Sequence, residues 1–186
     1  RPPRNSDGGQ TIAEGIAAKK VGRLTAEILR RLMEQVIVVS EEDLERAVTL
    51  FATVEKTIAE GAGAAGLAAL LAEPQLFRGR KVVLILCGGN IDTRLLASVL
   101  TRSLVREKRI TSVRIIGNDQ PGLLAKVATV IGDNGGNIIE VFHNRMALDV
   151  PAKGAEFDIT METRDARHTQ EILDALTKAG FPPRSA

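Results

Sequence analysis

Few residues in this chain of 186 are of types that do chemistry at a recognisable spacing. The most informative are Cys87-Gly88-Gly89-Asn90, which follow the unbroken apolar run Val82–Leu86 and precede another apolar-periodic segment. Such a run, bounded by Arg80-Lys81 and Gly88-Gly89, reads as a strand buried on both faces, as in a parallel sheet. In open α/β sheets ligands collect where strand carboxyl ends meet helix amino ends, and Cys87 to Asn90 fall at such a place. No histidine stands near Cys87 in sequence to activate it, so it is not a candidate nucleophile. On the residues alone it is either a buried inert thiol or a hydrogen-bonding group at a ligand. Asn90 is expected to cap the following helix.

A second constellation is Asn118-Asp119-Gln120-Pro121-Gly122-Leu123, which joins a strand to a helix. Asp119 is expected to accept bonds from free N–H groups of the first turn, with Pro121 near the first helical position. Gly135-Gly136-Asn137 is expected to end that helix through a left-handed cap and begin a strand. Gly61-Ala62-Gly63-Ala64-Ala65-Gly66 suggests a phosphate cradle but lacks the G-x-x-x-x-G-K-[ST] continuation, so it reads as a bend and as packing. His143 and His168 have no partners at ligand spacing, and no metal is expected.

The elements that must position these groups fall into two patterns. Before about Thr111, continuous apolar runs alternate with helices, the parallel α/β pattern. A helix is expected from Thr25 as N-cap, with Ile28, Leu29, Leu32 and Met33 on one face. Val36–Val39 reads as a buried strand. Ser40 opens a helix by something close to a capping box, with Leu44, Val48, Phe51 and Ile58 at helical spacing. Leu67–Ala72 is a small-residue helix ended by Pro74, and a further helix runs from about Ile91 to Val105. After Thr111 the order becomes β-α-β-β-α. Strands are expected at 112–116 and 138–142 and at the alternating segment around Phe157, Ile159 and Met161, with helices over 122–134 and 166–179. That order is a split βαβ unit, ferredoxin-like. Pro182 and Pro183 make a last strand over 181–186 an edge at best. The domains are therefore placed at 1–109 and 110–186.

Composition bounds the function. There are 25 Lys and Arg against 23 Asp and Glu, a net charge of +2, so no strong field invites nucleic acid or an acidic membrane. No apolar run has transmembrane length. Trp and Tyr are absent, which weakens any case for base stacking. The single Cys cannot form an internal disulfide and suits a reducing, cytoplasmic setting.

Asp119-Gln120-Pro121-Gly122-Leu123-Leu124 and Gly135-Gly136-Asn137-Ile138-Ile139 resemble the two signature turns of the ACT domain, a regulatory module that usually binds amino acids. The resemblance implies an amino-acid effector at the first strand–helix turn, often against a second copy of the module. Carried over, Asn118, Asp119, Gly122, Leu123, Asn137 and Ile138 are its candidate contacts. The chemistry is compatible: helix-start N–H groups suit a carboxylate, and Asp119 or Asn137 could take an ammonium. The alternative is that Asp119 only caps and Asn137 only turns.

GGQTIAEGIA, VIVVSEEDL, EGAGAAGLAAL and LCGGNID, in this order, resemble the fold-type II pyridoxal-phosphate enzymes, and specifically threonine dehydratase. The resemblance implies that Cys87 faces the pyridine nitrogen of pyridoxal 5'-phosphate, where the family has Ser or Cys. It implies further that Glu60 lines the cofactor pocket, that Gly15 lies where backbone passes the ring, and that Gly88 leaves room for it. A neutral thiol moderates the electron sink and favours β-elimination. Glu60 could otherwise be an exposed helix end. Neither the family's Schiff-base lysine context nor its glycine-rich phosphate loop occurs here, and Lys19, Lys20, Lys56 and Lys81 all lack the matching surroundings. The expectation is a carboxyl-terminal portion of a longer enzyme, inactive by itself, with the lysine upstream.

The implied activity is deamination of L-threonine to 2-oxobutanoate and ammonia, in isoleucine biosynthesis or threonine catabolism. The ACT-like half would sense isoleucine or valine, or dimerise, and a homo-oligomer is expected. Two rivals stand beside it: a serine dehydratase or racemase of the same cofactor class, and a non-catalytic amino-acid-binding module.

Overall fold

Ser40 begins the best-packed helix of the amino-terminal half. Its Oγ accepts from the Asp43 N–H at 3.1 Å, and the Asp43 carboxylate accepts from the Ser40 N–H at 3.0 Å. This is a complete capping box with Asp in place of Glu or Gln. Hydrogen bonds from the Ser40 hydroxyl and backbone hold the Asp43 carboxyl below its ordinary value.

The computed structural model describes residues 7–145 and 153–185. They divide into two units, Arg1–Ser103 and Leu104–Ala186. The first holds α1 (Arg23–Leu32), α2 (Glu41–Thr53), α3 (Gly61–Ala72) and the short α4 (Pro74–Phe77), with α5 (Thr93–Arg106) beginning in it. Leu44, Ala47 and Val48 of α2 pack with Ala64 and Ala68 of α3 and with Val99 of α5. The buried Glu45 is held by Arg102 at 3.0 Å, which compensates a charge that would otherwise be costly there.

Several expectations for this unit are corrected. Val36–Val39 and Val82–Leu86 carry no ladder hydrogen bonds and are not strands. A parallel strand needs neighbours on its edges and cover on both faces, and the described residues of this unit supply neither. Along Val82–Leu86 relative exposure alternates (38, 89, 37, 80 and 39%), the period of a chain covered on one side only. The cap of α1 is Gly22, not Thr25. Ile58 lies past the end of α2, and its exposure shows it does not share that helix's buried face.

The glycines at 61–66 are not a bend before a helix but the first turns of α3 itself. Their surroundings give the reason. A Cβ on Gly63 would lie 2.5 Å from the Cys87 carbonyl oxygen, and one on Gly66 would lie 3.5 Å from Leu84 Cδ2. At 63 the neighbour is backbone, so a side chain there would block the passing chain, whereas at 66 a Cβ would meet Leu84 in ordinary contact. Pro74 does stop α3, as expected.

The second unit is a four-stranded antiparallel sheet ordered β2-β3-β1-β4. Its strands are β1 (Ile110–Asn118), β2 (Asn137–Asn144), β3 (Gly154–Glu162) and β4 (Arg184–Ser185). With α6 (Leu123–Asp133) and α7 (Ala166–Lys178) the connectivity is the ferredoxin-like one read from sequence. The last strand forms as a two-residue edge on β1, after the two prolines. Ile115, Phe157, Ile159 and Met161 on one sheet face pack with Val127 and Ile131 of α6 and Ile172 and Leu176 of α7. Both helices end in the same motif. The Gly135 and Gly136 N–H groups donate to the Gly132 and Ile131 carbonyls, and those of Gly180 and Phe181 donate to Thr177 and Leu176. Buried His168 ties the two helices together: its Nδ1 accepts from the Arg164 N–H, and its Nε2 lies 2.7 Å from the Asn134 carbonyl, which it meets as a donor.

On the opposite sheet face Arg114 grips Asp158 through two bonds of 2.7 and 2.8 Å and lies 3.5 Å from Glu156. Arg114 donates to both Asp158 oxygens and holds that carboxyl below its ordinary value of 3.8. A carboxylate stabilised in this way contributes to stability above its unfolded pKa and loses that contribution as pH falls through the lower folded value. Unfolding free energy is therefore expected to decline as pH drops below 3.8, with Asp158→Asn weaker at neutral pH and flatter in that acid limb, measured by urea titration from pH 7 to 2.5. For α3, Gly63→Ala is expected to destabilise by about 1–3 kcal/mol through overpacking. Gly132→Ala in α6, where a Cβ meets nothing within 4 Å, is expected to stabilise by about 0.5–1 kcal/mol in the same assay.

Candidate functional site

The glycine contacts of positions 15 and 88 meet at Glu60. The Glu60 N–H donates to the Gly88 carbonyl at 3.2 Å, which fixes the 88 turn on the start of α3. Gly88 has φ +93, and a Cβ there would collide with the Glu60 carboxylate. A Cβ on Gly15 would lie 3.3 Å from Glu60 Oε1 and 3.0 Å from Ala62 Cβ. The sequence thus keeps space open around one carboxylate from two separate directions. Glu60, Gly15, Ile12, Asn90, Ile91 and Asp92 are among the residues lining a cleft of about 170 Å³.

Of the four positions singled out from sequence, Gly15, Glu60 and Gly88 come together here. Cys87 is adjacent in chain but does not line the cleft. Its carbonyl rests on Gly63, and the residue is exposed in this structure. Asn90 lines the cleft, but it does not cap α5. Asp92 does that, accepting from the Leu95 N–H at 3.0 Å. The signal was present in Asp92-Thr93-Arg94-Leu95, an acceptor three residues before the buried-face leucine. Ile12 N–H donates to Glu41 Oε2 at 3.0 Å, a contact between segments that no local pattern announces.

These residues fit one side of a pyridoxal-phosphate site. The fit rests on a cleft held open by missing Cβ atoms, a carboxylate at its wall and an exposed cysteine in the next turn.

In the second unit Asp119, Gly122 and Leu123 line a cleft of about 460 Å³ with His143, Arg145 and Phe157. Asn118 is the last residue of β1, beside them. Asp119 does not cap α6: it pairs with Arg145 at 3.2 Å, while Gly122, at φ +83, holds the cap position with no side-chain bond to the helix start. Pro121 accordingly stays outside the helix. Arg145 was not foreseen, because sheet pairing rather than spacing brings the end of β2 to this turn. Asn137 and Ile138 lie elsewhere. Asn137 pairs with Glu162 and Asn118 with Gly154, so opposite ends of β3 separate the two groups, by about 26 Å. Among the described residues no group of three or more His, Cys, Asp or Glu could hold a metal, and no helix is long and apolar enough to cross a membrane.

Residues 1–88 match the family described as pyridoxal-phosphate dependent enzyme, and residues 111–181 match the ACT domain. An L-threonine ammonia-lyase of Thermotoga maritima is 35% identical over 178 residues, covering 96% of this chain and 44% of that protein. An L-threonine ammonia-lyase of Geobacter sulfurreducens is 37% identical over 171 residues, covering 92% of this chain and 42% of that protein. A solved threonine deaminase, from the organism abbreviated T.th., is 35% identical, covers 50% of this chain and 33% of its own, and superposes with a TM-score of 0.46. The chain spans less than half the length of the curated relatives it matches. The chain thus carries, in order, a domain matching the pyridoxal-phosphate dependent enzymes over residues 1–88 and an ACT domain over residues 111–181.

Proposed function

We propose that this chain serves a pyridoxal-phosphate-dependent threonine ammonia-lyase that converts L-threonine to 2-oxobutanoate and ammonia. The observation that carries the reading is the gathering of Glu60, Gly15 and Gly88 beside an exposed Cys87. It is supported by similarity along nearly the whole chain to two proteins named L-threonine ammonia-lyase. When bound, the coenzyme supplies the electron sink that allows the α-proton to be removed and the β-hydroxyl to leave. With the coenzyme held, Cys87 would be the residue able to exchange a hydrogen bond with the ring nitrogen without fixing a charge on it. Glu60, its position set by the Gly88 carbonyl and the two missing Cβ atoms, orients polar groups at the cleft. The proton-abstracting lysine belongs to sequence outside this segment, so the segment alone does not turn over.

The domain boundary is placed at 109/110, just before β1, and the setting is cytoplasmic. The ACT unit senses an amino-acid end product, isoleucine or valine, at Asn118, Asp119, Gly122 and Leu123. The start of α6, left without a side-chain cap, suits the carboxylate, and Asp119 suits the ammonium. A second copy contributes its own Asn137 and Ile138, so the protein works as a homo-oligomer. Such regulation requires the effector to bind two states of the enzyme unequally.

In the longer enzyme Cys87→Ser is expected to retain activity, while Cys87→Ala lowers kcat about tenfold through loss of one hydrogen bond. Cys87→Asp, which holds the ring nitrogen protonated, is expected to lower it further and to shift the coenzyme's visible absorbance. Three variants indistinguishable from wild type in 2-oxobutanoate formation and in spectrum would overturn the reading. Asp119→Ala is expected to abolish the response to isoleucine or valine while leaving kcat unchanged, measured by steady-state kinetics with and without each amino acid.

A further inference from the structure

The carboxyl-terminal unit holds a second, larger cleft at the β4 side of its sheet, about 640 Å³, which the proposed effector site does not use. It lies between the start of β1, the first half of α7 and the chain at Pro183-Arg184. Thr111 lines it, seven residues before Asn118 along β1, hence about 23 Å from the β1–α6 turn. Its walls are apolar, from Val105, Val113, Leu173 and Pro183 among others. Its charges are of one sign: Lys108 and Arg184 line it, and no Asp or Glu does.

Three features mark this as a built site rather than a gap in packing. The Thr111 hydroxyl oxygen is buried with no hydrogen-bond partner among the described residues, although most buried polar atoms find one. Lys108 stands in the left-handed region at φ +58, a conformation uncommon outside glycine. It is held there by its N–H donating to the Val105 carbonyl and by its own carbonyl accepting from the Thr163 and Thr169 hydroxyls at 2.9 and 2.8 Å. Neither Lys108 nor Arg184 makes an ion pair among the described residues.

We infer that this cleft binds a small aliphatic carboxylate that carries no amino group, such as a branched 2-oxo acid. The two cations meet the carboxylate, Thr111 supplies a hydroxyl, and the apolar walls cover a short branched chain. An amino acid is selected against, because its ammonium would enter beside two cations with no carboxylate to pair it. The site differs in chemistry from the β1–α6 cleft, which does present Asp119.

The test is a titration of the methyl-labelled 186-residue chain with 3-methyl-2-oxobutanoate, followed by NMR, against L-valine, which has the same carbon skeleton. Saturable shifts are expected at Thr111, Val113 and Leu173, with L-valine at least about tenfold weaker. The K108Q/R184Q double variant is expected to weaken binding at least about tenfold while keeping a dispersed spectrum. If the double variant loses its fold, Arg184→Gln alone carries the test, since it alters only an exposed side chain on a two-residue edge strand. Absent or non-saturating shifts, equal affinity for L-valine, indifference to the substitutions, or shifts confined to 119–123 would each overturn the inference.

Discussion

The close passage of the Cys87–Gly88 backbone over the first turns of α3 is the contact on which the amino-terminal half depends. It exists because position 63 of that helix has no side chain, so a carbonyl can sit where a methyl would stand. Glycine in a helix costs roughly 0.5–1 kcal/mol per position relative to alanine. Gly61 and Gly63 of α3 stand against that cost, and the return is geometric, since a Cβ on either would meet a backbone oxygen. The turn after residue 86 is fixed on the helix start, Glu60 is bonded to it, and the cleft beside Gly15 stays open.

The carboxyl-terminal unit is organised differently. Its sheet buries one face on two helices, each finished by the same glycine-dependent cap, and leaves the other face to an ion-pair cluster around Arg114. That cluster joins β1 to β3, the two central strands. Glu156 is held less well than Asp158: one of its oxygens is buried without a partner, so Arg114 satisfies the pair unequally. The β1–α6 turn offers an open helix start with Asp119 drawn aside by Arg145, an arrangement that admits an anion at the amides.

What could be read from sequence was whatever is local. The Ser40 capping box, the glycine end of α6, the alternation of β3 and the stop at Pro74 are all set within a few residues, and each formed as read. The order of elements after Thr111 sufficed for the sheet topology. Non-local facts were less legible. Val36–Val39 and Val82–Leu86 have the composition of buried strands, but a ladder is a property of two segments, and here neither finds its partner. The 61–66 glycines were misread as a bend because their purpose, admitting the Cys87 carbonyl, lies more than 20 residues away. Asp119 lost its expected cap to Arg145, which only strand pairing delivers. For the candidate site, three residues taken from the family resemblance, Gly15, Glu60 and Gly88, lie around one carboxylate. The resemblance gathered Asn118 and Asn137 only if a second copy completes the set.

The proposal that Cys87 meets a coenzyme ring is tested most directly by a structure of the longer enzyme with pyridoxal phosphate bound. The account predicts the Cys87 sulfur within hydrogen-bonding reach of the pyridine nitrogen, with Glu60 and Gly15 beside the ring and the Glu60 N–H still bonded to the Gly88 carbonyl. A ring nitrogen facing some other residue, with the Cys87 thiol turned away from the coenzyme, would contradict it.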